Sequence, residues 1–153
     1  MAEVPPPADP APAEPPANPS DVEAVAAANA AFYEAFESRD LDRMSEVWEH
    51  SDRVTCVHPG WHVLRGWGAV AGSWFALFGG PQRLQFILTN EVVEVHGDTA
   101  WVTVDENLLD GEEVGGTVTA VNLYVRADDD ATAASSSRWR LVAHHGSPVA
   151  QRT

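Results

Sequence analysis

The chain has 153 residues, 44% of them hydrophobic, and a formal charge of -14 set by 23 acidic against 9 basic side chains. This is enough for one domain around a single core. The negative surplus, with every basic residue an isolated arginine, argues against a nucleic-acid partner. The lack of lysine excludes Schiff-base and phosphate-loop lysine chemistry, and the single cysteine, Cys56, excludes an intrachain disulfide or a multi-thiolate zinc site.

Residues 1–19 are almost entirely proline, alanine and acidic residues, a composition predicting a disordered or polyproline-like tail. The beginning lacks the basic and apolar regions of a secretory signal. The longest uncharged stretch, from Gly66 up to Arg83, is broken by glycines and a proline. The expectation is therefore a cytoplasmic protein with no membrane partner.

Residues 20–149 are expected to form the domain, leaving 150–153 as a short tail. Ser20 and Glu23 have the spacing of a capping box, and Val22, Val25, Ala26, Asn29, Phe32, Tyr33 and Phe36 follow at helical intervals to about Ser38. Asp40 opens a second, shorter helix carrying Leu41, Met44, Val47 and Trp48. The stretch Val54 to Trp61 then reads as a short apolar strand ending on His58, just before a Pro59-Gly60 turn. An imidazole at a strand end facing a cavity is the first candidate for chemistry. Cys56, alternating with Val54, reads as a small core residue.

A brief strand from His62 to Leu64 is followed by a third helix after Gly66, stopped by Gly79, Gly80 and Pro81. Its aromatics, Trp67, Trp74 and Phe78, read as core, whereas Trp61 could wall a pocket. From Arg83 the period becomes two and four strands can be drawn: Arg83 to Val95, Thr99 to Leu109, Thr117 to Arg126 and Arg138 to His145. Gly97-Asp98 and Asp110-Gly111 supply turns, and Ala127 to Ser137 reads as a solvated hairpin loop.

Alternation selects the side chains that share the buried face. Val102, Val104, Glu106 and Leu108 lie on one side of the second long strand, so an inward apolar face carries Glu106 with it. A carboxylate in such a row needs a hydrogen bond, a partner or a proton. Asn122 shares a side with Val118, Ala120 and Tyr124. On the last strand His144 and His145 point oppositely; periodicity barely separates them, and His144 is preferred. His62 belongs near the mouth, and His96, before a Gly-Asp turn, at the surface.

The order of elements, the Arg-Asp-Leu-Asp start of the second helix, the His-Pro-Gly-Trp strand end and the closing Trp-Arg-Leu-Val-Ala-His-His-Gly-Ser-Pro together resemble the SnoaL-like branch of the nuclear transport factor 2-like superfamily, which is similar to ketosteroid isomerase. The resemblance implies a cone-shaped α+β fold, three N-terminal helices on a curved, mostly antiparallel sheet enclosing a pocket, and a homodimer formed through the sheet. It spans isomerases, polyketide cyclases, dehydratases, epoxide hydrolases and non-catalytic binding modules. It also places His58 where ketosteroid isomerase has its aspartate base, Asn122 near its protonated aspartate and Phe32 at its oxyanion-hole tyrosine; these departures make steroid isomerisation itself improbable.

The leading expectation is a pocket for a small hydrophobic carbonyl compound, with cofactor-independent isomerisation, cyclisation or hydration/dehydration. His58 would be the general base, Glu106 would orient or protonate, and His144 would carry a second proton or polarise a carbonyl. Asn122 would hydrogen-bond that carbonyl, with Trp61, Phe32, Tyr124 and His145 as further substrate contacts. The alternatives are a non-catalytic ligand-binding or dimeric interaction module and, less favoured, a metal site formed by His58, Glu106 and His144.

Overall fold

A computed structural model describes residues 3–8, 18–110, 113–127 and 138–150. Helix α1 spans Pro19–Ser38, and its cap is not the predicted Ser20. Asn18 takes that place: its side-chain oxygen accepts from the Ser20 backbone N–H at 3.0 Å, while Pro19 occupies the first helical position. Proline has no N–H to leave unpaired there, and its fixed φ already suits a helix, so the start moves upstream of the capping box. The helix ends at Arg39, whose left-handed φ of 54° turns the chain and whose guanidinium donates to the Phe78 and Gly80 carbonyls. Asp40 caps α2 (Leu41–Val47) through the Arg43 N–H at 3.1 Å.

Strand β1 is only Thr55–Val57, shorter than the Val54 to Trp61 stretch suggests, and β2 is Leu64–Arg65. The chain between them turns at His58-Pro59-Gly60-Trp61. Trp61 N–H donates to the His58 carbonyl at 2.8 Å, with proline and a glycine of φ 83° at the two central positions. Helix α3 (Trp67–Phe78) follows, then β3 (Leu84–His96), β4 (Thr99–Asp110), β5 (Glu113–Arg126) and β6 (Trp139–Pro148). The Gly97-Asp98 turn joins β3 and β4. Of the expected Asp110-Gly111 turn, Gly111 lies outside the described residues, as do 128–137 of the predicted loop, most of the 1–19 tail and 151–153. Residues 3–8 are exposed and without regular secondary structure.

The six strands form one sheet in the order β2-β1-β6-β5-β4-β3, antiparallel throughout except where β1 lies parallel to β6. Irregularities in register occur at Thr89/Val92, Asn107/Leu109 and Leu123/Tyr124, places where a long sheet can bend. The helices cover one face. Phe32 and Phe36 of α1 meet Trp74 of α3 edge to face, with ring centroids 5.8 and 4.8 Å apart, and Trp48, Leu141, Val54 and Val102 fill the rest of the core. Among the described residues no helix is long and apolar enough to cross a membrane.

Candidate functional site

Between Phe36 of α1, the His58 turn and the inner face of the sheet lies a cavity of about 200 Å³. His58 reaches it from the end of β1, Glu106 from β4 and His144 from β6; Trp61, Phe36 and Phe86 supply aromatic wall. All three titratable side chains are buried, as are Val102 and Val104 on β4, Cys56 on β1 and Ala120 on the adjoining β5.

Each polar group is held by a second one. The Ser73 hydroxyl of α3 donates to the Val70 carbonyl at 2.6 Å, so its oxygen accepts from His58 Nε2–H at 2.9 Å and leaves Nδ1 with the lone pair. Trp74 and Trp61 meet the same imidazole edge to face, both at 4.8 Å. Tyr33 of α1 donates its hydroxyl to Glu106 at 2.5 Å. Asn122 on β5 donates to Asn29 at 2.9 Å and to the Tyr33 oxygen at 3.2 Å, and its own Oδ1 lies 2.6 Å from His144 Nδ1. Tyr124 completes the chain by donating to Asn29 at 2.9 Å.

Burial sets the charges. It pushes the Glu106 carboxyl up to about 7, only partly offset by the Tyr33 hydrogen bond. It lowers His58 to about 4, and it lowers His144 to about 3 with help from the nearby charges of His58 and His145. Cys56, 3.7 Å from His58 Nε2, is pushed up to about 12 by burial. Near neutrality the site thus holds two uncharged imidazoles and a carboxyl group poised to give up or regain a proton, beside a thiol that stays protonated.

Four expected substrate contacts are placed elsewhere. Asn122 is fully buried with both amide hydrogens already donated, so none remains for a ligand carbonyl. Tyr124 spends its hydroxyl on Asn29, and Phe32 is buried among Tyr33, Trp74 and the flank of the His144 ring. His145 is exposed on the opposite face of the sheet, opposite Val121. Trp61 lines the cavity. His62 and His96 are exposed, the latter stacked on Trp101 at 4.9 Å. Among the described residues, no group of three or more histidine, cysteine or acidic side chains is arranged to hold a metal ion.

Sequence reasoning missed Tyr33, Asn29 and Ser73. Asn29 and Tyr33 are four apart on the apolar face of α1, and a polar pair within a buried stripe was the available signal. Ser73, directly before Trp74 on an apolar helix, gave a fainter one.

Three helices on one face of a curved mixed sheet, with a cavity holding buried polar groups between the layers, define the nuclear transport factor 2-like class of fold. Within it the chain belongs to the SnoaL-like domain family, which it matches over residues 25–151. It is 40% identical to a candidate dehydratase of the NTF2-like family from Streptomyces avermitilis, covering 86% of this chain and 98% of that one with a TM-score of 0.74. A candidate calcium/calmodulin-dependent protein kinase type II association domain from Thiobacillus denitrificans is 37% identical, with 82% and 94% covered and a TM-score of 0.71. Among curated proteins, the F-box protein SKIP8 of Arabidopsis thaliana is 27% identical over 124 residues; these make up 81% of this chain but about half, 49%, of that relative.

Proposed function

We propose that the protein catalyses general acid-base elimination or addition of water on a small hydroxy-carbonyl compound. The observation that carries this reading is the convergence of His58, Glu106 and His144 from three separate strands on one small cavity. The relative described as a dehydratase, at 40% identity, supports the same reaction class. In the eliminating direction, His58 Nδ1 takes the proton from the carbon beside the carbonyl. The electron pair left behind forms the C=C bond as the C–O bond breaks, and the Glu106 acid gives its proton to the departing hydroxyl, which leaves as water. Exchange with solvent returns both groups to their starting states, and no cofactor takes part.

A cavity of about 200 Å³ is smaller than the roughly 300–1,000 Å³ typical of sites for drug-sized ligands, and this points away from an enclosed polycyclic substrate. The test is conversion of diacetone alcohol, a compact β-hydroxy ketone, to the enone mesityl oxide, followed by ultraviolet absorbance. The native protein should accelerate it, and His58→Ala should slow it by about 10²–10⁴-fold. An unchanged rate in His58→Ala would remove the base from this mechanism.

A second reading, self-association, is favoured by the outer face of the sheet. Ile87, Val92 and Val121 are exposed there, Val92 and Val121 flanking Thr103 across three strands. The relative described as an association domain supports it. A homodimer joined through this face would bury the strip without blocking the cavity behind it. Light scattering should give twice the monomer mass, and Val121→Arg should return the monomer; a monomeric native protein would refute this arrangement.

A further inference from the structure

We propose that His144 is the specificity-determining residue of the cavity, its bare Nε2 accepting a hydrogen bond from the ligand's hydroxyl, and that the ligand is an uncharged hydroxy-carbonyl molecule rather than a carboxylate. The inference rests on the reading of this cavity as the ligand site, and it deepens that reading by naming what the site selects.

The argument is one of hydrogen-bond direction. Both Asn122 amide hydrogens are spent, one on Asn29 Oδ1 and one on the Tyr33 oxygen, whose own hydrogen goes to Glu106. Asn122 can therefore offer only its Oδ1 to His144, and at 2.6 Å the imidazole must supply the hydrogen from Nδ1. A neutral imidazole has a single N–H, so Nε2 carries a lone pair and nothing to donate. His58 is arranged in the same way with its nitrogens exchanged, since Ser73 takes the Nε2 hydrogen.

The two histidines thus present acceptors to the cavity and Glu106, when protonated, is its acidic donor, while Gln82 adds a neutral amide that can donate or accept. Among the described residues no arginine lines the cavity to balance an anion, and a carboxylate would face two lone pairs and an acidic group inside aromatic walls, with the uncharged Gln82 amide unable to neutralise it. A hydroxyl group satisfies the same surroundings: its hydrogen points to His144 Nε2 while its oxygen receives from Glu106. In the elimination described above, those contacts hold the group that departs as water.

The experiment uses the native protein and four compact probes measured by calorimetry at pH 6: diacetone alcohol, its methyl ether, methyl isobutyl ketone and β-hydroxyisovalerate. Diacetone alcohol should bind at least about tenfold more tightly than each of the others, because the ether and the ketone lack the hydroxyl hydrogen and leave a buried acceptor unpaired, while β-hydroxyisovalerate brings a charge into the cavity. In His144→Phe its advantage over the ketone should shrink to about twofold or less. Nitrogen-15 NMR of the ligand-free protein provides a readout independent of any variant's folding, and should find His144 protonated at Nδ1. Equal binding of the ketone or the ether, tighter binding of the carboxylate, no binding by any of the four, or an Nε2-protonated His144 would each overturn the proposal. Selective binding without enone formation would sink the dehydration reading and leave this one standing. Enone formation without selectivity would do the reverse.

Discussion

Replacing Glu106 by glutamine isolates the free energy stored in one buried carboxyl group. In the fold this group titrates at about 7 instead of 4.5, because burial penalises its charged form. Its folded pKa is raised, so the stability it contributes is whole below pH 4.5, is lost as the pH climbs to about 7, and changes no further above that. At 1.36 kcal/mol per pH unit of displacement, the loss across that window is about 3 kcal/mol. The two buried imidazoles titrate with the opposite sign, their stability falling as the pH drops through their lowered pKa values. Both remain in the variant, so the difference between variant and native protein cancels them. Glutamine keeps an oxygen to accept from Tyr33, which makes the substitution nearly isosteric. Urea unfolding from pH 4.5 to 7.5 should therefore show Glu106→Gln gaining on the native protein by about 3 kcal/mol, or on the order of 1–3 M in midpoint. A difference that stays level across the window would show that Glu106 is ionised throughout, and the acid role would go with it.

The same titrations shape the reaction. kcat/KM for enone formation should follow a bell, falling below about pH 4 as His58 is protonated and above about pH 7 as Glu106 loses its proton; a plateau extending to pH 9 would contradict the assigned acid. Asn18→Ala should cost about 1 kcal/mol of unfolding free energy and Ser20→Ala clearly less, since Asn18 is the side chain that caps α1; equal costs in chemical denaturation would restore the capping box. Cys56 is buried with its thiol pushed up to about 12, so iodoacetamide at pH 8 should label it only as fast as the fold opens, and rapid labelling detected by mass spectrometry would disprove its burial.

Much of the architecture was legible because the strands keep strict alternation where they matter. On β4 the row Val102, Val104, Glu106 is inward without interruption, so the position of a charged group could be read from its apolar neighbours. β6 did not allow this. A register shift opposite Leu123/Tyr124 buries the consecutive residues Leu141 and Val142, and alternation counted through that irregularity cannot choose between His144 and His145. The helix start was misplaced for a local reason, the suitability of Pro19 for a first helical turn. The supporting polar chain from Tyr124 through Asn29 and Asn122 to Tyr33 links residues about ninety positions apart, and nothing in local pattern reports which distant partner a buried amide will find. The first layer of the site was visible, and the layer that orients it was not.

The parallel pairing of β1 with β6 sets Cys56 beside His144, bringing together segments from opposite halves of the chain. A ribosome therefore releases His58 long before the strand that must lie next to β1. Until the final strand slots between β5 and β1, the growing polypeptide can hold its helices and the β3–β4 hairpin but has no enclosed chamber. Acquisition of function should thus be the last and slowest event of folding, governed by closure of a long loop rather than by formation of any local element.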